Sequence, residues 1–137
     1  MEIRIIKPEQ TWELRQTVMW PDKEIAYVKL PDDPMGIHYG LFENGQLISV
    51  VSAFAYEQEI QFRKFATVSN KQGLGYGTQL LQFVIDAAKA SGAKAIWCNA
   101  RKSKTAFYRK IGFEERPIQF KRDGIDYVVM SKNLTSK

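Results

Sequence analysis

Gly73, Gly75 and Gly77 put three glycines within five residues. They follow residues 60–68, which read as a strand. They precede residues 78–90, where Leu80, Leu81, Val84, Ile85 and Ala88 recur at helical spacing. A turn that carries a strand into a helix N-terminus points successive backbone N–H groups inward, and the helix adds partial positive charge there. Glycines let a bulky anion approach the main chain. The chemistry this predicts is a cradle for a phosphate or diphosphate, with a ligand-free structural turn as the alternative. A Walker loop is disfavoured because Gly75-Tyr76-Gly77-Thr78 lacks the lysine. A dinucleotide fingerprint is disfavoured because the spacing is G-x-G-x-G.

Other side chains could act beside such a cradle. Tyr108 has a phenol able to serve as an acid, or a ring able to fill a core. Glu57 and Glu59 share one face of a strand, since strand faces repeat every two residues. Arg101, Lys102 and Lys104 could meet a phosphate or an acidic acceptor, or could form a solvated helix start. Arg15 reads as an acceptor-pocket residue or a surface arginine, and His38 as a substrate-site residue or a structural one. Cys98, inside Ala-Ile-Trp-Cys-Asn, reads as inert packing.

These residues need elements to hold them. Residues 2–6 alternate as a strand, and Pro8-Glu9 starts a helix that runs to about Met19 and ends at Pro21. Residues 22–36 carry turn chemistry and read as a long, lid-like irregular loop. Asn44-Gly45 and Asp123-Gly124 each mark a two-residue hairpin turn. Residues 94–99 look like a short buried parallel strand, and residues 103–110 like a short helix stopped by Gly112. The order β-α-loop-β-β-β-α-β-α-β-β makes an α+β fold with one βαβ crossover. It is read as a single domain over residues 1–137.

Composition bounds the rest. Hydrophobic residues at 45% and charged residues at 26% exclude disordered and collagen-like classes. One cysteine and one histidine exclude a disulfide framework and a His/Cys metal cluster, so no metal is expected. No apolar run reaches the ~20 residues of a membrane span, and residues 1–10 lack the apolar stretch of a signal peptide. A cytoplasmic setting without membrane contact is expected. The net charge of +5 suits an anionic ligand. It also suits nucleic acid, but the cations are dispersed and no recognition motif appears, so no nucleic-acid partner is expected.

Gln72-Gly73-Leu74-Gly75-Tyr76-Gly77 resembles the Q/R-x-x-G-x-G/A signature of the GNAT superfamily of N-acetyltransferases. Phe107-Tyr108-Arg109-Lys110-Ile111-Gly112-Phe113 resembles that superfamily's second signature, a Tyr four residues before Gly-Phe. The resemblance spans nearly the whole chain. It implies a central mixed, mostly antiparallel sheet with splayed parallel strands and helices on both faces. It further implies acetyl-CoA as cosubstrate, with Gln72, Gly73, Leu74, Gly75, Tyr76, Gly77 and Thr78 around its pyrophosphate. Phe65, Ala66 and Thr67 would lie along the pantetheine arm, Tyr108 would be the general acid, and homodimers are common. At the family's usual Glu position stands Gln61, so Glu59 is the nearest candidate base, with Glu57, Arg15 and His38 toward the acceptor. Where the family often has Asn and Ala, this chain has Arg101 and Lys104, with Asn99 two residues earlier. The expected activity is direct acetyl transfer to a primary amine of a small molecule or peptide. A catalytically inactive acyl-CoA-binding module is the alternative.

Overall fold

The computed structural model describes residues 1–135. Seven strands form one mixed sheet: β1 (Glu2–Ile6), β2 (Ile37–Glu43), β3 (Gln46–Tyr56), β4 (Glu59–Thr67), β5 (Ala95–Arg101), β6 (Glu114–Arg122) and β7 (Ile125–Asn133). Their order is β1-β2-β3-β4-β5-β7-β6, mostly antiparallel, with β4 and β5 as the parallel pair. The helices are α1 (Trp12–Leu14), α2 (Ile25–Val28), α3 (Tyr76–Ala90) and α4 (Thr105–Lys110). The expected mixed fold with its βαβ crossover is what the chain adopts. No helix among the described residues is long and apolar enough to cross a membrane.

The chain divides into two compact units: Met1–Phe54 with Arg63–Val84, and Ala55–Phe62 with the chain from Ile85 onward. In the first, β2 pairs antiparallel with both β1 and β3. The turn between β2 and β3 has φ of 52° at Asn44 and 78° at Gly45, the left-handed pair that Asn-Gly adopts readily. Ile6, Leu14, Phe42, Val50 and Ala66 form one apolar cluster of its core, with Val18, Met19, Leu47 and Val68 packed against them.

The expected helix to Met19 is present but changes pitch. After the α-helical turn of α1, Arg15–Met19 widens into a π-helical turn. Arg15 is wholly buried there. Its Nη2 donates to Asp33 Oδ1 at 2.9 Å and to Ser52 Oγ at 2.9 Å. Its Nη1 donates to Asp33 Oδ2 at 2.9 Å and to the Val28 carbonyl at 3.0 Å. Asp33 also accepts from the Leu30 N–H and from Trp12 Nε1. Residues 22–36, expected to be irregular, instead hold α2 and a 3-10 turn at Asp33–Met35, tied down by this carboxylate. His38 completes the network. Its Nε2 lies 2.8 Å from the Asp33 carbonyl and must donate, so Nδ1 accepts from the Ser52 hydroxyl at 2.6 Å.

This corrects the expectation that Arg15 reaches an acceptor or the surface, and of His38's two readings it takes the structural one rather than the substrate site. Arg15 is 0% and His38 2% exposed. A guanidinium in a core must find a carboxylate, because an unpaired buried charge costs several kcal/mol. That requirement, invisible in a list of residues, drew Arg15 inward.

In the second unit, β5 pairs with β7 from Ala95↔Asn133 to Arg101↔Tyr127. The β6–β7 turn has φ of 54° at Asp123 and 76° at Gly124, as expected for Asp-Gly. Pro117 sits at the register irregularity between Glu115 and Gln119, where a residue without an N–H interrupts the ladder. Gly92 ends α3 with φ 88°. The Ala93 N–H reaches the Ala88 carbonyl and the Gly92 N–H reaches that of Lys89.

Burial raises the Asp33 carboxyl pKa, but hydrogen bonds from Arg15 and the Leu30 N–H outweigh it, and the net value lies below the ordinary 3.8. A carboxyl depressed in the folded state adds stability above its unfolded pKa and loses it as pH falls through the folded one. Asp33→Ala, which leaves Arg15 buried and uncompensated, is expected to lose about 3–5 kcal/mol in urea unfolding at pH 7. The loss should shrink as the pH drops below 3.8. A loss under 1 kcal/mol would remove the network from its central place.

Candidate functional site

β4 ends at Thr67, and a 3-10 turn at Ser69–Lys71 follows. Gly73 and Gly75 then turn the chain with φ of 77° and 90°, before α3 begins at Tyr76. These values lie where L side chains are strained, which accounts for both glycines. A Cβ placed on either would meet nothing within 4 Å, so the space above them is open. Gly77 has a different reason. A Cβ there would lie 3.2 Å from Phe65 Cζ and 3.4 Å from Thr67 Oγ1, so its hydrogen lets the helix start pack on β4.

The Gln79 N–H bonds to the Gly75 carbonyl at 3.1 Å and opens the helical ladder. The amides of Tyr76, Gly77 and Thr78 come before it and have no carbonyl one turn back within the helix. Gly73, Leu74, Gly75 and Thr78 are exposed, and Tyr76 and Gly77 half-buried. An exposed helix start with glycine-cleared space above it favours a phosphate or diphosphate.

Phe65, Ala66 and Thr67 form the last three residues of β4. The Gln72 side chain bends back to donate to the Thr67 carbonyl at 2.8 Å. Ser49 Oγ lies 2.9 Å from Thr67 Oγ1 and donates to the Ala66 carbonyl at 3.2 Å. Just before them Lys64 has φ 57°, a left-handed non-glycine residue within a strand. Such a residue breaks the regular alternation of ladder groups, and backbone strain of this kind concentrates at functional sites. Nothing in the sequence marked Lys64.

Tyr108 owes its place to a helix cap. The Phe113 N–H donates to the Tyr108 carbonyl at 3.0 Å, and the Gly112 N–H to that of Arg109 at 3.0 Å, with Gly112 at φ 102°. This is a Schellman cap, which carries an apolar contact between its first and last members. Here the contact is Tyr108 on Phe113, with ring centroids 5.8 Å apart, and Phe62 and Phe107 complete an aromatic cluster. The spacing Tyr-x-x-x-Gly-Phe is therefore the covalent form of one cap. Burial pushes the Tyr108 phenol well above its ordinary value, Cys98 adds to the rise, and Arg101 opposes it. The phenol holds its proton, the state a general acid needs.

Glu59 opens β4, paired in parallel with Ala95, and its Oε1 lies 3.5 Å from Arg116 Nη2. Glu57 does not share its strand face, contrary to expectation. It is exposed in a two-residue turn with Gln58, at φ of 50° and 70°. Asn99 is exposed on β5 opposite Val129, and Arg101 ends that strand. Lys104 is exposed in the 3-10 turn before α4. Sequence reasoning also passed over Glu43, whose carboxylate accepts from the Tyr76 hydroxyl and lies 2.9 Å from Lys71 Nζ. The pairing of β2 with β3 and the place of β4 beside β3 bring it there. Among the described residues no group of three or more His, Cys, Asp or Glu could hold a metal ion.

Comparison with known proteins gives concordant results. The family model described as Acetyltransferase (GNAT) domain matches residues 22–134. The uncharacterized N-acetyltransferase YitI of Bacillus subtilis strain 168 is 30% identical over 144 residues, covering 98% of this chain and 97% of that protein. A crystal structure of an N-acetyltransferase from Lactobacillus plantarum superposes with a TM-score of 0.86 at 19% identity, covering 98% of this chain and all of that one. An acetyltransferase of Bacillus subtilis in complex with CoA does so with a TM-score of 0.76 at 20% identity, over 98% and 99% of the two chains.

Cys98 is 3% exposed, and burial pushes its thiol up to about 12. A disulfide reagent at pH 8 is expected to leave it unmodified in the native protein and to label one thiol per chain in denaturant. Rapid native labelling would contradict the packing role.

Proposed function

The chain belongs to the GNAT acetyltransferase family, and from that premise we propose that it transfers the acetyl group of acetyl-CoA directly to a primary amine. One observation carries the reading: the start of α3, whose first amides have no carbonyl one turn back within the helix, under the open space over Gly73 and Gly75. Those amides suit the pyrophosphate of CoA, with Gln72 and Leu74 shaping the same turn. The main chain at Phe65, Ala66 and Thr67, next to the left-handed Lys64, is the proposed partner of the pantetheine arm and the thioester oxygen. Asn99, Arg101 and Lys104 are proposed as further cofactor contacts.

Direct transfer needs an amine freed of its proton, a donor for the carbonyl oxygen as it gains charge, and a proton for the departing thiolate. Tyr108, kept protonated by burial, is proposed to give that last proton. Glu59 is proposed as the base, directly or through water, and would have to relax its ion pair with Arg116 to act. No covalent enzyme intermediate is required, in keeping with a buried Cys98.

Tyr108→Phe is expected to lower kcat by about 10²-fold or more while CoA affinity stays within twofold. Because burial raises the Tyr108 pKa, the wild-type kcat profile should show no falling limb from this group up to pH 10. Unchanged turnover in the variant would remove Tyr108 from the acid's role. Gly75→Glu sets charge and bulk above the turn at a left-handed backbone position and is expected to abolish acetyl-CoA binding in titration calorimetry. Normal binding by this variant would rule out the phosphate cradle.

A further inference from the structure

Glu43 is the last residue of β2, fixed by the Asn44-Gly45 turn that follows it. Its carboxylate has two partners that no sequence motif joins. Lys71 Nζ lies 2.9 Å from Oε1, and the Tyr76 hydroxyl donates to Oε2. Lys71 closes the 3-10 turn before the glycine segment, and Tyr76 is the first residue of α3 after it. One carboxylate thus grips both ends of residues 72–75, which contain Gly73 and Gly75. Those four residues are exposed.

Exposed glycine-rich chain has many conformations to lose, so an untethered turn would spread its amides over many directions. We propose that Glu43 is a positioning residue for the phosphate cradle, holding Lys71 and Tyr76 so that the amides of residues 73–78 stay aimed at one anion. The inference rests on the acetyl-CoA reading above. A carboxylate near an anion site would ordinarily repel the ligand, but here Lys71 neutralises it. Hydrogen bonds from Tyr76 and Lys71 hold the Glu43 carboxyl below its ordinary pKa, and Glu43 raises those of Lys71 and Tyr76. The triad therefore keeps its charges through the neutral range. The gain is pre-organisation: affinity comes from order established before the ligand arrives.

The test uses the full chain and two readouts. Calorimetric titration with acetyl-CoA would compare wild type, Glu43→Ala, Glu43→Gln, Tyr76→Phe and the Glu43→Ala/Tyr76→Phe double variant. Glu43→Ala is expected to weaken binding roughly 10-fold, the scale of a hydrogen bond to a charged group. Glu43→Gln, which keeps an acceptor oxygen, should weaken it less. The double variant should bind no more weakly than Glu43→Ala, since both changes cut the same tie. Amide hydrogen exchange should accelerate in Glu43→Ala at residues 72–78 and stay unchanged across β2 and β3. A general structural defect would move both regions. Affinity within twofold of wild type, tighter binding, additive losses or unchanged exchange at residues 72–78 would each overturn the proposal. If the wild type binds no acetyl-CoA while Glu43→Ala still loosens only residues 72–78, the acetyl-transfer reading falls and the tether stands.

Discussion

A helix begins with N–H groups that its own carbonyls cannot reach. At the start of α3 that surplus is left exposed, beneath a turn whose left-handed glycines keep side chains out of the way. The close of α3 and the close of α4 each fold back through a glycine and bond their last carbonyls. The asymmetry matters because a polar surplus persists in a folded protein where something else meets it. The proposed phosphate cradle and the proposed acetyl transfer both rest on those amides.

Around this turn the structure holds its parts by polar ties rather than by apolar contact alone. Gln72 folds onto the Thr67 carbonyl, and Glu43 binds Lys71 and Tyr76. In the same unit the Arg15–Asp33 pair fixes residues 22–36 to the strands through Ser52 and His38. Such networks stabilise little when weighed against apolar replacements, yet they narrow the arrangements available, because both Arg15 Nη groups have fixed acceptors. A segment that would otherwise be a loose loop becomes part of the scaffold.

Much of this was legible before any coordinates. The alternation of β1, both glycine-bearing hairpin turns, the parallel β5 and the glycine-to-helix step follow from local rules, and each appears where those rules place it. Gly112 was legible as the stop of the helix that carries Tyr108, and in the structure it closes that helix as a cap. The failures share a cause. The strand face expected for Glu57 was lost to a turn made without glycine, at Glu57 and Gln58. Arg15 read as an acceptor-pocket or surface residue because a sequence shows polarity and hides partners, whereas His38 takes its structural reading. Lys64 offered no signal at all, since left-handed backbone at a lysine comes from its surroundings.

The sequence by itself determined what depends on neighbours along the chain: the hairpin turns, the glycine stops, the helical and strand spacing, and hence the fold class and the glycine-to-helix step. Tertiary structure alone decided which charges met. Glu43 reached Lys71 and Tyr76 across about 30 positions, and Arg15 reached Asp33 across 18. The reason is physical. Backbone conformation is set within a few residues, whereas a carboxylate's partner is set by where folding brings distant strands and turns together. Burial then makes the pairing obligatory for Arg15 and Asp33.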